Sequence, residues 1–342
     1  MTTVAAEEIP RERGWRLVII AALCVLLIPL TPMLRVILPV EQTFVLVVPA
    51  LAAFACVGFV MGGRLPLALL WSALAAWVLW QFTAAGATYA LLTAGWSLLL
   101  AAVFGVSVLM RKDQPARSFL QFAVASIALA LAVGGLAVTA APNGIGAVRQ
   151  AIEVEVGHRA ESSLRGWKQM TDKQEWRDFV AENPDALTLS QQVETQLQAA
   201  PGVALTLFPA LLALESLAAL ALAWALYHRI GRARLGPPLA ALRDFRFNDQ
   251  LIWGLIVGLV MLVLPGFASM SAVGANLLVF FGVIYALRGF GIVVWFLAPG
   301  RIMTVLLIGF AVVFLSVSGV LALGLGLGDT WADWRSRVKP KT

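Results

Sequence analysis

Three residues draw attention first because they are polar where their neighbours are not. Glu215 lies in ALLALESLAALALAWAL, Arg288 lies in the apolar run 275–297, and Asn276 stands one turn into the stretch that begins at Ser271. A charge at hydrocarbon depth costs about 2.5 to 3.5 kcal/mol on insertion scales, so it needs a partner, a wet cavity or a route to the headgroups. Measured along its own helix from Val203, Glu215 lies about 18 Å deep, too far for a glutamate to snorkel. The same measure from Ser271 puts Arg288 within about 7 Å of that depth. Glu215 and Arg288 are therefore expected to face one another. As a structural element the pair would fix helix register; as a functional one it would hold a ligand or a proton. Asn276 would hydrogen-bond a neighbouring helix or a substrate.

The elements that carry these residues are long and apolar. Hydrophobic residues make up 60% of the chain and charged ones 13%, with a mean hydropathy of +0.86, which excludes an ordinary soluble enzyme. Apolar runs fall at 17–38, 43–61, 65–82, 88–110, 118–141, 203–228, 251–268, 271–297 and 302–327. Each is close to the roughly 20 residues that a membrane-crossing helix needs, and none alternates as a barrel strand would. The expected fold is all-α, a polytopic transmembrane helical bundle of about nine spans. The first run is too long for a signal-peptide core, so it reads as a retained helix. Cys24 and Cys56 stand alone in separate apolar runs and imply neither a disulfide nor a metal site.

Organisation follows from the gaps between runs. Residues 1–141 hold five spans, 142–201 form a polar segment, 202–328 hold four spans, and 329–342 form a basic tail. Lys and Arg outside the runs favour a cytoplasmic N-terminus and an extracytoplasmic central segment. The tail, WADWRSRVKPKT, conflicts with that scheme, because nine crossings would leave it outside. Either it is an outer interfacial segment anchored by Trp331 and Trp334, or one run does not cross. The central segment reads as amphipathic helices. Asp172 with Glu175, and Thr188 with Gln191, have capping-box spacing, and Asn183-Pro184-Asp185 supplies a turn between them. Such helices would cap the bundle or dock a partner protein.

Helix-contact and kink signals are Gly58 with Gly62, Gly254 with Gly258, Pro209 and Pro265. The chain has no GxxxxGK[ST] loop, HExxH, GxSxG or CxxC, so no catalytic residue, cofactor or metal ligand is expected. Basic residues cluster beside apolar runs rather than on a face with stacking aromatics, which argues against nucleic acid. If the protein moves a solute, an ion gradient or a separate subunit supplies the energy.

A family pattern then emerges. Phe245-Arg246 before Trp253, Ala275-Asn276-Leu277-Leu278, and Tyr285 followed by Arg288-Gly289 resemble the C-terminal half of the YybS-like bacterial membrane proteins, a family of unknown function. That family is similar to the substrate-binding S components of energy-coupling-factor transporters. The resemblance implies a bacterial inner-membrane protein with a small-molecule pocket and separate ATPase subunits. It carries over no catalytic residue. The polar interior would then be Glu215, Asn276 and Arg288. The alternative is a non-transporting scaffold whose outer helices dock a partner in an envelope complex.

Overall fold

The computed structural model describes residues 36, 39–110, 119–233 and 235–337. The run 17–38, apart from Val36, lies outside the described residues, as do Cys24 and the last residues of the tail. Twelve α-helices are described: α1 Val40–Val60, α2 Leu65–Thr83, α3 Thr88–Met110, α4 Phe119–Ala140, α5 Gly144–Thr171, α6 Gln174–Glu182, α7 Asp185–Ile230, α8 Ile252–Val263, α9 Ser271–Leu297, α10 Arg301–Val313, α11 Leu315–Ala332 and α12 Trp334–Arg337. No strand occurs among the described residues. The protein is a helical membrane bundle, and six of its described stretches are long and apolar enough to cross a bilayer.

The chain forms two compact units, Met1–Leu239 and Ala240–Thr342. In the first, α1 is the hub and packs against α2, α3 and α7. Towards its C-terminal end an aromatic cluster of Phe54, Phe104, Phe119, Trp224 and Tyr227 binds α1, α3, α4 and α7 together. Gly58 is required there, because a Cβ would collide with the Tyr227 ring. The polar residues described below lie at the other end of α1.

Beyond that polar end, α5 and α7 form an antiparallel hairpin closed by the short α6. The stripe Ala151, Ile152, Val156, Ala160 and Ser163 recurs at helical spacing on α5, and its apolar members pack with Leu197, Ala200 and Ala204 of α7. The sequence expectation of helices is met, but their ends differ. Asp172 closes α5, Lys173 precedes α6, and neither α6 nor α7 has a side-chain cap. Thr188 and Gln191 lie inside α7, which begins at Asp185 after the expected turn. This helix is 46 residues long, about 69 Å, and passes through Pro201 and Pro209 without ending. No loop separates the polar segment from the apolar run that follows it.

The second unit is built on α9. Gly254 and Gly258 of α8 meet α9 closely: a Cβ on Gly258 would lie 3.0 Å from the Gly274 carbonyl. The run 251–268 is not one helix, because Leu264 before Pro265 takes extended backbone and a 3-10 stretch, Pro265–Met270, follows. The run 302–327 is broken as well. Phe314 leaves helical geometry between α10 and α11, and Ser318 Oγ donates to the Ala311 carbonyl at 3.0 Å and the Phe314 carbonyl at 2.8 Å. α11 then packs antiparallel along the C-terminal half of α9, where Gly289 meets the Ala322 carbonyl and Gly326 meets the Tyr285 carbonyl. Among the described residues six apolar stretches are long enough to cross and three apolar helices are shorter.

The start of the tail is tied to residues 243–246. Arg335 Nη1 donates to the Arg243 carbonyl at 2.8 Å and Nη2 to the Phe245 carbonyl at 3.1 Å, while Arg246 pairs with Asp333 at 2.8 Å. The tail therefore lies beside the residues that precede α8, on the same side as Arg243 and Arg246.

Candidate functional site

Glu215 is 7% exposed and is held from the first turn of α1. Gln42 Nε2 donates to its Oε2 at 2.6 Å, and Thr43 Oγ1 donates to its Oε1 at 3.2 Å. Because α7 projects past the N-terminal end of α1, depth counted along α7 overstates how far Glu215 sits inside the bundle. It lies one turn below the N-terminal ends of α1 and α3, beneath α5.

A polar chain leads from it towards that end. Tyr89, in the first turn of α3, donates to Gln42 Oε1 at 2.5 Å, and Arg159 Nη2 of α5 reaches the same oxygen at 3.5 Å. Arg159 is itself held by Glu155, Nε to Oε1 at 2.8 Å, and its guanidinium lies 4.9 Å from the centre of the Tyr89 ring. Beside Glu215 is a space of about 10 Å³, lined by Gln42, Tyr89, Arg159 and apolar residues including Phe208 and Leu211. That is room for a single water. Gln42 and Arg159 also line a larger cavity of about 470 Å³, whose other walls include Glu41, Glu155, His158 and Ser162. Its size falls within the range of small-molecule pockets.

Arg288, in the second unit, is arranged differently. Its Nε donates to Asp329 Oδ2 at 2.9 Å, its Nη1 to Asp249 Oδ1 at 2.6 Å and its Nη2 to the Asp329 carbonyl at 3.3 Å. The Phe247 ring covers it at 5.3 Å. Asp329 is 1% exposed and also meets Arg335 Nη2 at 3.4 Å and the Trp334 backbone N–H at 3.2 Å. With the exposed Arg246–Asp333 pair, the cluster holds three arginines and three aspartates, so its formal charge is zero.

The sequence expectation paired Glu215 with Arg288; among the described residues each has its hydrogen-bond partners within its own unit. Asn276 Nδ2 donates to the Ala272 carbonyl of its own helix at 2.7 Å, and Asn276 stands about 18 Å along α9 from Arg288. Sequence reading missed Gln42, Tyr89, Arg159, Asp249 and Asp329. Each sits at a helix end or in a polar segment, where a polar residue is ordinary, so only the fold singles it out.

The family described as predicted membrane protein (DUF2232) matches this chain over residues 18–330. The chain belongs to that family. No curated protein and no solved structure matches it. The DUF2232 match spans both polar groups, the one at Glu215 and the one at Arg288, as well as the α5–α7 hairpin. Among the described residues no cluster of His, Cys, Asp or Glu has the arrangement of a metal site.

Proposed function

We propose that this membrane protein binds a small molecule in the cavity beneath α5 and helps to move it across a bacterial inner membrane, with Glu215 as the inner polar contact. The supporting observation is the continuity of polar groups: a buried carboxylate, Gln42, Tyr89 and Arg159 lead into a 470 Å³ cavity with polar walls. A fold that needed only stability would bury apolar groups here, because an intramembrane carboxylate with its hydrogen-bonding neighbours is costly to keep. On this reading any ATPase is a separate subunit, in keeping with a sequence that has no phosphate-binding loop. The Lys and Arg distribution favours a cytoplasmic N-terminus, which would place the α5–α7 hairpin and the cavity outside.

The test is small-molecule analysis of the protein purified in mild detergent. Wild type should retain a compound that Glu215→Gln and Ser162→Trp, which fills the cavity wall, both release. A protein that retains nothing, together with variants that leave transport-linked growth unchanged, counts against the reading.

A second reading, a scaffold that docks an envelope partner, draws on the hairpin itself. At about 69 Å, α7 exceeds the roughly 40 to 45 Å of a whole bilayer, and the hairpin tip carries Trp167, Trp176 and Phe179 in edge-on and tilted contact. Deleting α6 with its turns should then remove a co-purifying protein while leaving the cavity ligand in place.

A further inference from the structure

Among the described residues the charges around Glu215 do not balance, and the imbalance has a sign. Among the described residues the carboxylate is met by an amide and a hydroxyl, both neutral donors, and by no cation within ion-pairing distance. Arg159 is engaged elsewhere: it is paired with Glu155 and lies over Tyr89. The two adjoining spaces are lined by Glu215, Glu155 and Glu41 against Arg159, with His158 beside them. A carboxylate offers about four acceptor positions, of which the described donors fill two. A buried carboxyl in that state is satisfied either by taking up a proton or by meeting a positive group with spare donors.

Shape narrows the class further. The inner space of about 10 Å³ admits one water-sized group, and the outer cavity of about 470 Å³ admits a small organic body. Gln42 and Arg159 line both, so the two spaces share a wall. An ammonium head is about the size of a water molecule and brings three donors. Neither an anion nor a large flat heterocycle fits the inner space and its charge.

Resting on the proposed binding role of this cavity, we infer that its ligand is a small protonated organic amine. The ammonium head sits beside Glu215, and the body lies between α5 and the ends of α1 and α2, against Glu41 and Phe82.

The test uses the full-length protein in lipid nanodiscs and calorimetric titration with 1,4-diaminobutane, its neutral isostere 1,4-butanediol, and sodium chloride. The diamine should bind saturably, and the diol and sodium should not. Glu215→Gln should weaken the diamine by about tenfold or more, as expected when a charge-assisted contact is lost. Ser162→Trp should do the same by occupying the cavity while leaving Glu215 in place, and its melting temperature shows that the fold is intact. Equal binding of the diol, an equal response to sodium, or diamine binding unchanged in both variants overturns the amine assignment. A retained native compound that is anionic or neutral and is released by Glu215→Gln also overturns it, yet leaves the binding role standing. If neither a native compound nor any probe binds, both fall.

Discussion

Glu215 and Arg288 are both charges within apolar helices, yet the fold completes one and leaves the other open. Arg288 has two aspartates, a backbone carbonyl and an aromatic face, in a cluster whose charges cancel. Glu215 has two neutral donors and a space beside it. A charge that is fully neutralised and wrapped holds structure together, because any rearrangement would strand a buried ion. A carboxylate supported only by dipoles keeps capacity for an outside cation. The contrast separates architecture from site, which burial alone does not: the two residues are 5% and 7% exposed.

The comparison can be broken most forcefully at Asp329. Asp329→Ala leaves Arg288 with only the exposed Asp249 and Arg335 with only backbone carbonyls, and the loss should be about 3 to 5 kcal/mol, read as a large fall in melting temperature in detergent. A small fall would mean that water already reaches the cluster and that it resembles the Glu215 site more than its geometry suggests. Gly289→Val comes next. Its side chain would drive into the Ala322 carbonyl, and overpacking of that kind costs about 1 to 3 kcal/mol. Unchanged stability would mean that α9 and α11 are not in close contact.

At the other site the effects on stability should be smaller. Tyr89→Phe removes one hydrogen bond to Gln42, worth about 1 kcal/mol, and should loosen ligand retention more than it lowers the melting temperature. Glu215→Gln should shift stability by less than about 1 kcal/mol, since it removes a buried charge and keeps similar shape. A fall as large as that of Asp329→Ala would make Glu215 architectural too, and would erase the distinction. Smallest of all, Arg246→Ala breaks an exposed pair worth about 0 to 1 kcal/mol, and differential scanning should barely register it.

Much of the bundle was legible beforehand. The run 88–110 matches α3 and the run 271–297 matches α9, because a stretch of some 20 apolar residues has essentially one way to satisfy its backbone in lipid. The break between α10 and α11 was not legible. No Pro or Gly stands at Phe314, and the freed carbonyls are served by Ser318, a residue that fits equally well in an unbroken helix. Nor was the site complete in the sequence. Glu215 stood out against its apolar neighbours, but Gln42, Tyr89 and Arg159 are spread over three helices and look unremarkable in each.

The sequence by itself determined the class of protein, the approximate ends of most helices and the identity of the two conspicuous charges, because hydropathy acts locally and a buried charge is costly wherever it sits. The tertiary structure decided which groups answer those charges. Depth along one helix did not measure depth in the bundle once α7 ran past its neighbours, and the acid that neutralises Arg288 came from a helix returning along α9 rather than from α7. Partners depend on how helices are placed in space, and that information lies in no single segment of the chain.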